Sequence, residues 1–574
     1  MKDLSYYEMR AHLYPCEEAQ KVTFKLSDLE QIWYCTTKNV KRKLKKYEQE
    51  GFCLYRPGKG RGNYSKLEFC QSFQAEIEQA VTTFIEREAM DELMQLLYLP
   101  IPKSWISALS DEVQTLFGMQ SSQQQKEVLR TIVRGRVTTL DPLYTSVAFE
   151  SFLIHQLGDT LITYDHEHDR LLPHLAHHWI VDGEQRRWTF YLRKGVRFHH
   201  QRVMTSEDVR HTFARYRSAN SPFSWLLSDV QRIDCPSPNV VTFELKRPNA
   251  FFPRFLCCDN LAILPADVPF DEHQWIGTGP FRLKERSEQK LVLEAFDPYF
   301  LERPFLYEVQ FWHVPKQNIS ATFQISGKEV DKDLQERELI EKGFRYVAFN
   351  FRKSSIVRDQ KFREALFHLA DVQAMHRDLG RGRCIEASSY FPEKSHSHPR
   401  DGKRVSGLLR DSAYSGETLK LFSLDFPRAV EEAKWYVAKA EEAGIHLEHR
   451  TFSIESLYDD TIDIEADVLM MGEVASNDAH FSFMNAFYND RITFRRFFND
   501  EQLNWIYAKL ETFRTAGTKE ERDRSIDEIE RYINEYRLVL FQYHPIKRRA
   551  FHHTIRNIRF ESFGNVELRK LWVQ

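Results

Sequence analysis

Residues 55–69 read YRPGKGRGNYSKLEF, with Gly58, Gly60 and Gly62 set between Lys59 and Arg61. Two kinds of loop carry such a pattern. One cradles the phosphates of a nucleotide, and the other lies along the phosphates of a duplex. A Walker loop needs GxxxxGK[ST] between a strand and a helix, and GKGRGN does not fit. A dinucleotide fingerprint opens a helix, whereas this loop leads into the strand-like run SKLEF. A solvated basic hairpin with no partner is the plain alternative, since a basic patch is not always a binding site.

The residues upstream decide between these. Leu4, Tyr7 and Leu13 suggest a first helix. In KLSDLEQIWYC, Ser27 is placed to cap a second, with Leu29, Ile32 and Trp33 turned inward. After a break at Tyr34 and Cys35, Thr36 or Thr37 caps a third helix, whose Val40, Leu44 and Tyr47 recur at i, i+4, i+7. Gly51 stands where helices end in a left-handed residue. FCLYR and SKLEF then read as two short strands around the glycine loop. Segment 36–66 holds seven Lys and three Arg against two Glu, a surplus of eight positive charges in a chain of net charge −3.

Helix, helix, turn, basic helix and hairpin is the layout of an α+β winged helix-turn-helix, expected here over 1–72. Its third helix would present Thr36, Thr37, Lys38, Asn39, Lys41, Arg42 and Lys45 to the major groove. The wing would bring Arg56, Lys59, Arg61, Asn63, Ser65 and Lys66 to the phosphates. Double-stranded DNA is the partner this predicts.

The whole chain sets the frame. At 574 residues and 68.2 kDa it exceeds one ordinary core, and 42% apolar with 28% charged residues is the balance of a folded globular protein. No apolar run approaches the roughly 20 residues that span a bilayer, so no membrane partner is expected. MKDLSYYEMRAHLYPCEEAQ has acidic residues where a secretory signal carries its apolar core, which points to the cytoplasm. Eight cysteines without a CxxC read as reduced, mostly buried thiols.

QAEIEQAVTTFIEREAMDELMQLL shows helical spacing, and 73–124 is expected to be a helical linker or the contact of a homodimer. SSQQQKE (121–127) reads as a second boundary. Beyond it strands and helices alternate: VLRTIVRG as a strand, an apolar helix after TLDPLYTS, WTFYLRKGVRFHH as a hairpin, and SEDVRHTFARYR as a helix capped by Ser206. This is a large α/β unit, expected over 125–574 in two lobes.

Several stretches here carry a resemblance. LAHHWIVDGEQRRWTFYLRKGVRFHHQRVMTSEDVRHTF (175–213), WIGTGPFRLKE (275–285), LVLEAFDPYF (291–300) and FRYVAFNFRKSSIVRDQKFREALFHLAD (344–371) resemble the motifs of family 5 extracellular solute-binding proteins, in order. With the amino-terminal GRGNYSKL (60–67), the chain resembles the SgrR family of bacterial transcriptional regulators. The resemblance implies a two-lobed fold of the periplasmic-binding-protein type (class II, peptide and nickel binders), its first lobe discontinuous. It implies a cytoplasmic regulator sensing a small-molecule effector such as a sugar phosphate or peptide. Delivery of a solute to an ABC transporter is the alternative. By the same resemblance Tyr144, Thr145, Ser146, Asn350, Glu473 and Asp478 lie near the cleft. The loop MGEVASNDAHF departs from the more aromatic WxxDYxDP-like stretch of family peptide binders.

No enzyme is expected. Neither GxSxG nor HExxH occurs, and helix capping accounts for Glu207 and Asp208. His177–His178, His199–His200 and the HEH of 166–168 lack a carboxylate or cysteine at ligand spacing, so neither a metal nor a cofactor is expected.

Overall fold

The computed structural model describes residues 2–58, 64–102, 105, 118–121, 127–133, 137–313, 334–552, 555–560 and 565–573. The amino-terminal elements are α1 (Leu4–Leu13), β1 (Lys21–Phe24), α2 (Leu26–Ile32), α3 (Thr37–Gln49), β2 (Cys53–Arg56) and β3 (Ser65–Phe69). The strands form one antiparallel sheet in the order β1-β3-β2. β1 was not expected, although KVTF alternates exposed and buried residues. Lys25 and Leu26 precede Ser27 at the start of α2, so Ser27 is not the cap, and Asp28 accepts instead from the Lys25 amide at 3.0 Å. Tyr34, at φ 46°, makes the turn into α3.

Two further helices, α4 (Phe73–Glu86) and α5 (Met90–Leu97), are separated at Glu88, where φ is 52°. Their apolar faces are taken up by the amino-terminal core. Phe73, Ile77, Val81 and Phe84 of α4 and Leu93 and Leu97 of α5 are buried in the same core as Tyr6, Met9, Leu44 and Leu67. A boundary at 72 therefore cuts through one hydrophobic unit. A buried ionic knot ties it together. The Arg10 guanidinium meets Glu76 at 2.6 Å and Glu17 at 2.9 Å, donates to the Gln71 carbonyl at 2.7 Å, and lies 4.0 Å over the Phe69 ring.

The first lobe contains β4 (Gly118–Ser121), β5 (Glu127–Val133), β6 (Ile162–Asp165), β7 (Arg170–Pro173), β8 (Ala176–Val181), β9 (Arg187–Leu192), β10 (Val230–Ser237), β11 (Val240–Leu245), β12 (Phe281–Arg286), β13 (Lys290–Ala295) and β14 (Glu308–His313). One sheet runs β12-β13-β14-β5-β4 and another β10-β11-β9-β8. Ser121 pairs with Glu127 across β4 and β5, so both ends of the stretch 121–127 lie in this sheet. WTFYLRKGVRFHH is likewise not a hairpin: β9 lies between β8 and β11. Helix α6 (Ala148–Leu157) packs beside the five-stranded sheet, and α7 (Ser206–Ser218) is capped by Thr205, not Ser206. The GTGP turn approaches the end of α6 so closely that a Cβ at Gly277 or Gly279 would fall within 2.4 Å of Leu157 backbone atoms. Leu568 and Leu571 return to this lobe and pack with Leu140 and Phe281.

The second lobe is built on six strands, β16 (Gly343–Phe349), β17 (Ile385–Glu386), β18 (Leu419–Leu424), β19 (Leu447–Phe452), β20 (Val468–Val474) and β21 (Val539–His544), in the order β17-β21-β16-β20-β18-β19. The two segments that cross between lobes, β15 (Leu334–Ile340) and β22 (Ile546–His552), pair antiparallel as a ribbon.

Removing the Glu76 carboxylate would leave the buried Arg10 charge with one acidic partner fewer. Glu76→Ala should destabilise the amino-terminal unit by roughly 3–5 kcal/mol, read as a lowered urea midpoint in the full chain. A midpoint equal to the parent's would show that the knot contributes nothing.

Candidate functional site

The chain presents two surfaces with chemistry. The first is the outer face of α3. Val40, Leu44 and Tyr47 are fully buried at i, i+4 and i+7, which turns Lys38, Asn39, Lys41, Arg42 and Lys45 to solvent. Two other lysines of the helix are occupied. The Lys43 ammonium lies 4.6 Å over the Trp33 ring and donates to Ser5, and Lys46 meets Asp3 at 3.2 Å. Lys38, Lys41, Arg42 and Lys45 have no ion-pair partner among the described residues. Four exposed cations on one helix face, without ion-pair partners among the described residues, form the charge pattern that a polyanion would meet.

The other residues expected in this surface divide. Thr36 begins α3 and is exposed, while the Thr37 hydroxyl donates to Glu30. Arg56 and Lys66 are exposed partners across the β2–β3 ladder. Ser65 does not face outward: it is 1% exposed, and its Oγ accepts from the Gly58 amide at 3.2 Å, closing the base of the hairpin. Lys59, Arg61 and Asn63 lie outside the described residues. Lys25, whose ammonium is 5.4 Å from the exposed Tyr64 ring, adds a cation beside the wing that the sequence reading missed.

The second surface is a cavity of about 250 Å³ between the lobes. From the first lobe it is walled by α6 and the stretch after the short helix Phe252–Phe255, and from the second by the turn from β20 into helix α8 (Ala479–Tyr488). Thr145, Ser146, Glu473 and Asp478 are among its lining residues. Thr145 is nonetheless fully buried and donates to the Asp141 carbonyl at 2.9 Å. Tyr144 and Asn350 are not among the lining residues. Asn350 is a structural residue: its amide donates to the Asp463 and Ala466 carbonyls at 2.8 and 3.1 Å, anchoring the end of β16.

Arg254, which the sequence reading did not single out, dominates the site. Its Nε donates to Asp478 at 2.5 Å, its Nη1 to Asp169 at 3.0 Å, and the guanidinium stacks 3.4 Å over Tyr164. Burial works against its charge, but the Asp478 carboxylate outweighs this and the Arg254 pKa is raised. Asp169 is also paired with Arg522 of the second lobe at 3.0 Å. Beside this ionic link the lobes meet through Trp225, stacked 5.1 Å from Tyr488, Phe251 against Phe513, and the buried pair Arg514–Asp229 at 2.9 Å. The two lobes are closed on each other.

Glu473, at the end of β20, pairs in register with Phe344 and so shares a sheet face with Phe344 and Tyr346, near Tyr390. Enclosure by this aromatic wall pushes its carboxyl up to about 8.

Several of the residues discounted in the sequence have partners within the fold. Burial pushes His199 down to about 4, and its ring bonds the GTGP turn at Gly277 and Gly279. Asp208 is the cap partner of Thr205 and an acceptor for Arg202. Contrary to expectation, Asp165 and Glu167 do bring carboxylate oxygens within 4.8 Å of the His168 ring nitrogen, but Asp165 is already held by His168 and Arg170 in an exposed turn. All eight cysteines are free, and only Cys53 and Cys384 are buried, fewer than expected.

A small basic helix-and-wing unit is fused here to two lobes of the solute-binding-protein type that close over a cavity. The comparisons agree on both parts. Residues 170–494 match the model of bacterial extracellular solute-binding proteins, family 5, and residues 4–121 match that of the sugar transport-related sRNA regulator amino-terminal domain. The chain belongs to solute-binding protein family 5, in the domain pairing of the SgrR regulators. It is 29% identical to the uncharacterized protein YhjP of Bacillus subtilis over 84% of each chain. To the HTH-type transcriptional regulator SgrR of Pectobacterium atrosepticum it is 26% identical over 69% of this chain and 70% of that one. Among solved structures, a dipeptide-binding protein from Pseudoalteromonas in complex with Met-Leu matches at TM-score 0.68 and 19% identity, covering 78% of this chain and all of that one. NikZ from Campylobacter jejuni, in complex with Ni(L-His), matches at TM-score 0.63 and 16% identity, covering 76% and 97%. Among the described residues no helix is long and apolar enough to cross a membrane.

The raised Glu473 pKa has a thermodynamic signature. Its ordinary value is near 4.5, so between there and about 8 the native state holds a proton that the unfolded chain releases. Stability must fall as pH rises through that window and level off above it. In Glu473→Gln this part of the slope is absent. Calorimetry from pH 5 to 9 should show a shallower decline in thermal midpoint and greater stability than the parent at pH 9. Parallel curves would contradict the burial of the carboxyl.

Proposed function

We propose that this chain is a cytoplasmic, DNA-binding transcriptional regulator whose solute-binding-like lobes sense a small molecule and alter promoter binding. The observation that carries this reading is the row of unpartnered cations Lys38, Lys41, Arg42 and Lys45 on the solvent face of α3. A protein that only delivered a solute would have no use for such a face. The relatives named as transcriptional regulators support the same reading. It assigns binding, not catalysis, to both surfaces.

In this reading α3 lies in the major groove and the hairpin runs beside the backbone, so Arg42 reads a base and Lys66 a phosphate. The head is not loosely tethered. The Tyr98 hydroxyl donates to the His313 carbonyl at 2.9 Å, Lys290 pairs with Asp91 at 2.9 Å, and Trp312 of β14 is buried in the amino-terminal core. The neighbouring Phe311 faces the other way, 6.2 Å from Phe152, which lines the cavity. Ligand at Phe152 therefore bears on the strand that seats the head.

A gel shift with DNA from upstream of the chain's own gene, at several fixed salt concentrations, tests the reading. Affinity should fall steeply with salt, with a log–log slope near −0.9 per phosphate contacted. Arg42→Ala should cost about 1–3 kcal/mol on the preferred site and relax sequence preference, whereas Lys66→Ala should weaken all duplexes alike and reduce the slope by about 1. Parent-like binding by both variants would remove α3 and the wing from the interface.

Tyr98→Phe tests the coupling. It should leave DNA and effector affinities near the parent's when each is measured alone, while shrinking the change that one induces in the other by about 0.5–2 kcal/mol. Undiminished coupling would exclude the Tyr98–His313 contact from the route.

A further inference from the structure

The charges around the interlobe cavity do not suit an anion. Three carboxylates line it, Glu473, Asp259 and Asp478, against one guanidinium, Arg254, and one imidazole, His155. The basic groups are already committed. Arg254 is held by Asp478 at 2.5 Å and Asp169 at 3.0 Å, and His155 by Asp259 at 2.9 Å. Lys342 touches Asn477 at 3.4 Å but does not itself line the cavity. What is left over is the Glu473 side chain, which has no hydrogen-bond or ion-pair partner among the described residues. Tyr346 faces it from β16 and Tyr390 from the 385–395 segment, and the cations that act on Tyr346 are Arg496, held by Asp463 at 2.7 Å, and Arg345, at the register position opposite Gly472. Both tyrosines are enclosed and neutral, so neither offsets a carboxylate.

We infer that the cavity takes a small polar solute bearing a protonated amine, whose ammonium seats on the Glu473 carboxylate, and that it does not take a phosphate ester. This rests on the reading of the cavity as the effector site. A phosphate would have to pull Arg254 away from two carboxylates, and an unpaired buried charge left behind costs several kcal/mol. An ammonium meets the opposite situation. It supplies a partner for the unpaired Glu473 carboxyl, and Phe152, Phe223 and Phe481 in the walls add aromatic rings, which attract a cation. Asn485 and Ser151 in the lining offer hydrogen bonds to the neutral remainder of the solute. On binding, Glu473 gives up its proton to solvent and the ammonium replaces it, so charge balances within the site.

Isothermal titration calorimetry of the full chain at pH 7, in two buffers of different ionisation enthalpy, tests this with defined probes. The amines are D-glucosamine, L-leucinamide and agmatine, and the anions are D-glucose 6-phosphate and inorganic phosphate. At least one amine should bind at least about tenfold more tightly than either anion. Its apparent enthalpy should differ between buffers, reporting the released proton. Glu473→Gln should weaken that amine by at least about tenfold and abolish the buffer dependence. The inference is overturned if an anion binds as well as every amine, if no amine binds, or if the variant binds the amine like the parent. A gel shift in the presence of each probe separates this from the sensor reading. An amine that binds through Glu473 yet leaves DNA affinity unchanged upholds the site and removes the sensing role. An anion that binds and shifts DNA affinity does the reverse.

Discussion

Phe311 and Trp312 are neighbours in the chain and point in opposite directions. Trp312 is buried in the core of the amino-terminal unit, and Phe311 in the core that backs α6 and the cavity. The strand that carries them, β14, lies in the middle of its sheet, hydrogen-bonded to β13 and β5, so it cannot shift by one residue without turning both side chains to the wrong core. The period of two along a strand thus joins two hydrophobic units that would otherwise be separate domains on a tether. Tyr98 and Lys290 add directional contacts around the edge of the same seat. Well-packed interiors shift between discrete arrangements more readily than they stretch, so in the proposed reading a change on the α6 side would reach the head as a repacking.

Much of the head was legible in the sequence because its determinants are local. The i, i+4, i+7 spacing of Val40, Leu44 and Tyr47 is sufficient to orient α3, and the same spacing dictates which lysines remain outside. What escaped was nonlocal or short. β1 spans four residues between two helices, and its partner β3 is more than forty positions away, so alternation over KVTF was too brief to stand out. α4 has an apolar face that reads equally well as a linker, a dimer contact or a core element, and only the burial of Arg10 against Glu76 and of Phe73 beside Phe69 decides among them. Ser65 shows the limit of residue type as a guide: a serine beside a wing was expected to meet phosphate, but the ladder register turns it inward, where it closes the hairpin base.

The lobes were legible through motifs, and the glycines of GTGP have a physical reason to recur, since nothing larger fits against Leu157. The cleft was less readable. Position near a motif brought Thr145, Ser146, Glu473 and Asp478 to the cavity but also nominated Asn350, whose amide is consumed by carbonyls of its own lobe. Arg254 gave no local signal. Its role arises from three segments far apart in sequence, the turn at Asp169, the short helix at 252–255 and the cap at Asp478, converging on one guanidinium.

That convergence bears on the switch proposed for the lobes. Opening them separates Arg254 from Asp478, Arg522 from Asp169 and Arg514 from Asp229, and unstacks Trp225 from Tyr488. Buried ion pairs return to water with much of their solvation restored, so their separation costs far less than their short distances suggest. The aromatic contacts add about 0.5–1.5 kcal/mol each beyond the area they bury. Closure is therefore held by interactions internal to the protein whose net balance against the open form is modest, and near-complete switching asks about 5 kcal/mol of differential affinity from a ligand. A solute that only occupied the closed cavity would add little to this balance. One that paired with Glu473 of the second lobe while touching Ser151 and Phe152 of the first would bridge the two lobes, and so would draw its preference for the closed state from contacts that opening breaks.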